Sequence, residues 1–117
     1  MTEHDNDRRI DYIEIPVRDM ARTKAFYGRV FGWTFVDYGP DYASFSDGRL
    51  SGGFTTQERV RPGGALVIMY ATDLEKMRDA VIDAGGAIVK DIFAFPGGRR
   101  FHFGDPSGHE LAVWSAQ

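Results

Sequence analysis

Moving along the chain by 54 positions carries Asp19 onto Asp73, Met20 onto Leu74, Arg22 onto Lys76, Gly32 onto Gly86 and Asp37 onto Asp91. Segments that match in this way are two copies of one supersecondary unit. One copy of such a unit cannot bury its apolar face alone, so the match predicts a fold assembled from a repeated motif. In the first copy, Asp19 to Trp33, an N-capping Asp precedes a helical stripe of Met20, Ala21, Ala25, Phe26, Val30 and Phe31, and Gly32 stops the helix. The second helix is expected from about Leu74 to Ala84, closed by Gly85-Gly86.

The same order of strands surrounds both helices. Tyr12–Val17 and Leu66–Ala71 precede them, and Trp33–Tyr38 and Ala87–Phe93 follow. Tyr42–Ser46 and Arg99–Asp105 come next, then turns at Asp47-Gly48 and Asp105-Pro106-Ser107-Gly108, then Leu50–Thr55 and Glu110–Trp114. This predicts a single α+β domain of two tandem βαβββ modules, module one over 10–56, a linker over 57–64 and module two over 65–115. Residues 1–9, polar and charged after Met1 and including His4, are expected to be a mobile tail. Period-two alternation turns Ile13, Ile15 and Val17 toward the helix and Tyr12 and Glu14 away from it. In module two, Phe101 and Phe103 take the helix side and Arg100 and His102 the other. Phe93 to Gly98, two rings beside Pro and Gly, reads as a loop able to act as a lid. Gly52-Gly53 inside a strand signals a bulge or close approach, or else a surface left bare for a ligand.

Composition narrows the function. A net charge of −3 with dispersed Lys and Arg offers nucleic acid no basic stripe. Arg99-Arg100-Phe101-His102-Phe103 resembles an RNA-recognition strand, but its two rings belong under a helix. No cysteine is present, which excludes disulfides, thiol catalysis and thiolate metal sites. The polar N-terminus carries no apolar signal core, and no apolar run approaches the ~18 residues of a membrane span, so a cytoplasmic protein without membrane contact is expected. Aromatic residues make up 14% of the chain, more than a tight core of this size holds, so some should line a ligand cavity.

Phe26-Tyr27 and Phe31-Gly32-Trp33 at the end of the first helix, together with Asp105-Pro106-Ser107-Gly108 before a strand ending in Trp114, carry a family likeness. Over residues 10–115 the chain resembles the vicinal oxygen chelate superfamily, which includes glyoxalase I, extradiol dioxygenases and fosfomycin and bleomycin resistance proteins, and within it the short glyoxalase-like branch. The resemblance implies that the modules form a curled mixed sheet with a concave ligand cup and helices outside, in a chain that forms a homodimer, the cup being built either within one chain or from two. It also implies a divalent metal held by His and Glu from the first and last strands of each module. Carried over one by one, those ligand positions fall on Tyr12, Leu66, near Gly53 and on Ala112. None is a His, Asp or Glu, so no metal or other cofactor is expected.

Two readings follow. The first is a metal-free protein that binds a planar or amphipathic small molecule, in a sequestration role, through Tyr12, Glu14, Phe54, Ile68, Tyr70, Arg100, His102 and Trp114, closed over by Phe93 and Phe95. The second is a glyoxalase-like lyase or isomerase in which Glu14 and His102 form an acid–base pair or hold a displaced metal. Set against that chemistry, Glu14 can instead pair with Arg100 or His102 as a buried polar network. His109 and Glu110 are further donors, His109 standing in a solvated turn.

Overall fold

A computed structural model describes residues 6–117 of the chain; His4 and the rest of residues 1–5 lie outside the described part. The strands β1 (Ile10–Pro16), β2 (Thr34–Asp37), β3 (Tyr42–Ser46) and β4 (Ser51–Thr55) accompany α1 (Met20–Phe31), and β5 (Leu66–Tyr70), β6 (Ala87–Phe95), β7 (Gly98–Gly104) and β8 (Glu110–Ser115) accompany α2 (Leu74–Asp83). The fold is α+β, two βαβββ modules. Among the described residues no helix is long and apolar enough to cross a membrane.

Module one, Tyr12–Leu66, orders its strands β2-β3-β4-β1, with β1 parallel to β4 and the other pairs antiparallel. Phe45, Phe54 and Val17 are buried under α1, packed by Ile15, Met20, Tyr27, Trp33 and Phe35. Tyr27, Trp33 and Phe45 stack face to face, with Tyr27 and Trp33 ring centres 4.7 Å apart and Trp33 and Phe45 4.6 Å apart. The helix therefore turns inward on Met20 and Tyr27, whereas Phe26, Val30 and Phe31, read from the sequence as part of the buried stripe, are 54%, 55% and 60% exposed. A count of apolar side chains misplaced that face. The inward ring is a Tyr, and Gly28, which a helical wheel ranks low, brings the helix close to Phe35.

Module two, Val67–Gln117 with the N-terminal segment up to Asp11, orders its strands β5-β8-β7-β6, with β5 parallel to β8. Its core is Ala71, Leu74, Phe101 and Val113, packed by Met69, Met77, Val81, Ile88, Ile92 and Phe103. The described part of the expected tail is held along this module. Arg8 N–H donates to the Tyr70 carbonyl at 2.7 Å, Tyr70 N–H to the Arg9 carbonyl at 3.0 Å, and the Asp7 carboxylate accepts from Thr72 N–H at 2.9 Å.

The 54-residue offset survives in the packing. Inward residues Met20 and Tyr27 of α1 map onto Leu74 and Val81 of α2. Asp19 and Asp73 each cap their helix, accepting from Arg22 N–H and Lys76 N–H at 3.0 Å. Lys24 donates to Asp37 at 2.6 Å, and 54 residues on Arg78 Nε donates to Asp91 at 2.6 Å with a second bond from Nη2 at 2.8 Å. The Arg78 guanidinium holds the Asp91 carboxyl below its usual range. Exposed ion pairs contribute little to stability, and their importance here is that each ties its helix to the strand that follows it. The turns repeat too: Asp47 accepts from Arg49 and Leu50 N–H, and Asp105 from Ser107 and His109 N–H.

The expected lid over Phe93 to Gly98 is instead strand. Phe93 pairs with Arg100, Ala94 with Arg99 and Phe95 with Gly98, leaving Pro96 and Gly97 alone as the turn. Pro fixes the first turn position and Gly97, at φ 107°, supplies the left-handed second, which is the type II geometry. The two residues that suggested a loop are the ones that make a tight hairpin.

Candidate functional site

Opposite α2, strand alternation gathers most of the residues expected to bind ligand. Arg100 on β7 lies between two rings of β6, its guanidinium carbon 5.4 Å from the centre of Phe93 and 5.8 Å from that of Phe95. Phe95 stands 6.2 Å from Trp114, and Trp114 meets Tyr70 edge-on at 5.0 Å. The indole N–H donates to Asp11 at 2.9 Å, which fixes the Trp114 ring. Tyr70 and Ile68 sit on the predicted face but are 1% and 2% exposed, so they form its floor and offer a ligand no open surface.

His102 is the buried polar centre of this face, 3% exposed, with the Phe93 ring 5.8 Å away. Its Nδ1 lies 2.8 Å from Glu110 Oε2. Burial pushes the imidazole pKa below its ordinary value, helped by the charges of Arg100 and Lys90 and opposed by the bond and charge of Glu110. Its other nitrogen, Nε2, is buried and makes no hydrogen bond among the described residues. Leaving such a group unpaired costs about 1–3 kcal/mol. The carboxylate bonded to the imidazole is Glu110, which the sequence reading named only as a further donor. The β7–β8 register contained that signal. Gly104 pairs with Glu110 and His102 with Ala112, so Glu110 lies diagonally across from His102 on the same face.

Module one carries a second polar group on the side away from α1. The Tyr12 and Tyr42 hydroxyls are 2.6 Å apart, and Tyr42 donates to Glu14 Oε2 at 3.0 Å. Since Tyr42 spends its proton on Glu14, the bond between the phenols is donated by Tyr12. Burial first, then the bond to Tyr12 and the charge of Glu14, push the Tyr42 pKa far above its ordinary value, so it stays a neutral phenol. Tyr42 was missed in the sequence because β3 was read only as a strand. Both glycines of β4 serve close approach: a Cβ at Gly53 would collide with the Tyr42 and Tyr12 hydroxyl ends, and one at Gly52 with the Phe45 ring and the Ile13 carbonyl. Phe54 is corrected. It pairs with Ile15 in β1, shares that residue's helix side and is 0% exposed, so it belongs to the core and not to the ligand face.

The implied metal can be tested against these donors. Of the four carried-over positions, Tyr12 is bonded to Tyr42, Gly53 lies under the same two hydroxyls, and Leu66 and Ala112 are apolar. Among the described residues no group of three or more His, Cys, Asp or Glu converges as a metal site would require. Among the described residues this donor set does not fit a divalent ion.

Solved structures share the fold. The NAD-dependent benzaldehyde dehydrogenase from Legionella pneumophila superimposes with a TM-score of 0.71 at 19% identity, over 91% of this chain and 98% of its own. Methylmalonyl-CoA epimerase from Mycobacterium tuberculosis gives 0.71 at 15% identity, over 91% and 86%. The Mn(II)-bound glyoxalase from Novosphingobium aromaticivorans gives 0.69 at 23% identity, over 95% of this chain, which spans only 40% of that protein. At these identities the likeness is one of fold. No curated protein matches the sequence. The profile of one family matches residues 9–113, nearly the whole chain, and the two βαβββ modules agree with it: the chain belongs to the Glyoxalase/Bleomycin resistance protein/Dioxygenase superfamily.

Proposed function

We propose that this protein binds a planar or amphipathic small molecule against the aromatic face of module two, without a divalent metal, and acts by holding its ligand. One observation carries the reading: a guanidinium lies over the rings of Phe93 and Phe95, with Trp114 beside Phe95 and held by Asp11. Flat apolar surface beside a cation favours a flat ligand, since ring stacking rewards planarity. The resemblance to bleomycin resistance proteins, which act by sequestration, points the same way and requires no bond-making step.

The test is calorimetric titration with 2-naphthoate, a planar amphipathic anion, of the protein and of two variants. Removing one stacking ring costs about 0.5–1.5 kcal/mol, so Phe95→Ala should weaken binding roughly twofold to tenfold, while Phe26→Ala, an exposed ring on α1, should leave it unchanged. Affinity indifferent to Phe95→Ala would overturn the assignment of this face.

A further inference from the structure

The imidazole at the centre of this face has one nitrogen that the fold does not use. Glu110 as a carboxylate can only accept, so its bond obliges Nδ1 of His102 to donate. A neutral ring that donates from Nδ1 carries its lone pair on Nε2, and the carboxylate also fixes the ring's orientation. Nε2 is therefore an acceptor, buried and without a partner among the described residues.

Resting on the binding function proposed above, we propose that His102 Nε2 accepts a hydrogen bond from the ligand itself, which makes the ligand a planar aromatic molecule with an O–H or N–H donor on its ring, a phenol or a heteroaromatic N–H. Glu110 is the positioning residue that keeps Nε2 in the accepting form. The charged groups facing the imidazole are Glu110 from β8, Arg100 from β7 and Lys90 from β6. Burial, with the last two, outweighs Glu110 and opposes protonation, so the acceptor survives into mildly acidic solution.

Access to Nε2 requires one neighbour to move, and the strand suggests which. Phe93, the ring against the imidazole, is 36% exposed, and it follows two shifts in the β6–β7 register, between Ile88 and Lys90 and between Lys90 and Phe93. Bulged strands re-aim side chains. An aromatic ligand that stacks on Phe95 and takes the place of the Phe93 ring brings its edge to Nε2.

The experiment is long-range 1H–15N NMR of the full chain at neutral pH, with the signals of His102 assigned by their loss in His102→Phe, followed by titration with phenol and with anisole, which has the same ring but no donor. Expected are a protonated Nδ1, an unprotonated Nε2 whose signal moves with phenol, and binding of phenol about tenfold tighter than anisole. Glu110 is 44% exposed, so Glu110→Ala should fold normally, mix the two tautomers and erase most of that preference. Lowering the pH should weaken phenol only once it passes below the ordinary imidazole pKa. A proton on Nε2 in the free protein would overturn the proposal. Equal binding of phenol and anisole, as when an internal water alone satisfies Nε2, would overturn it too while leaving the aromatic-face reading standing. Binding of neither would overturn both.

Discussion

Phe54→Ala is expected to destabilise the protein by about 3–5 kcal/mol, the range for truncating a fully buried Phe. Its ring is 0% exposed and lies 4.8 Å from Phe45, 5.3 Å from Tyr27, 6.1 Å from Phe35 and 6.4 Å from Trp33, centre to centre. Four rigid rings around a void cannot collapse into it as aliphatic chains can, which places the effect toward the upper end. A domain of this size has about 5–15 kcal/mol in hand, so the variant should fold but unfold at a markedly lower urea midpoint with an unchanged slope. Because Phe54 faces α1, the 2-naphthoate affinity of the folded variant should equal that of the parent. A loss under about 1 kcal/mol would mean the ring is not the keystone of module one. Weakened ligand binding would return it to the ligand face.

Gly52→Ala should cost about 3 kcal/mol, more than Gly53→Ala, although the residues are adjacent and the substitution is the same. Overpacking a tight site costs about 1–3 kcal/mol and more when nothing can yield. At Gly52 the new methyl meets the Phe45 ring, already held between Trp33 and Phe54, and the carbonyl of Ile13, the residue paired with Gly52 in β1. Relief there requires two parallel strands to part. At Gly53 the obstacles are the hydroxyl ends of Tyr42 and Tyr12, which can swing away at the expense of the Tyr12–Tyr42–Glu14 bonds. Urea denaturation of both variants measures the order, and Gly53→Ala proving the more damaging would contradict this account of the β4 glycines.

Much of the fold was legible because the repeat constrains it twice. Asp19 and Asp73 as caps, Asp47 and Asp105 as turn residues, and Phe101 under the helix all follow from local rules that act in both copies. The failures lie where tertiary geometry decides. Periodicity gave α1 an inward face from its apolar residues, but stacking of Tyr27 on Trp33 rotated it and left Phe26 and Val30 outside. Within the candidate site, alternation put Arg100, His102 and Trp114 on the side away from the helix, but Phe93 and Phe95 were expected there as a closing loop and stand there as strand residues, and the partner of His102 needed a cross-strand register that no single strand contains. Phe54 was misassigned because the alternation of β4 is hidden by its two glycines, and only its pairing with Ile15 shows which side it takes. Tyr42 likewise becomes visible only when β3 is laid over Gly53.

We propose that this member of a superfamily known for divalent metals binds its ligand without one. The most direct measurement is the metal content of protein purified without chelator, together with thermal unfolding in the presence of Zn²⁺, Ni²⁺, Mn²⁺ and Fe²⁺. A ligand at a hundred times its dissociation constant stabilises a fold by about 2.7 kcal/mol, an upward shift readily seen in a domain of this size. The account predicts no stoichiometric metal and no upward shift with any of the four ions; one equivalent of bound metal, or a clear stabilisation by one ion, would contradict it.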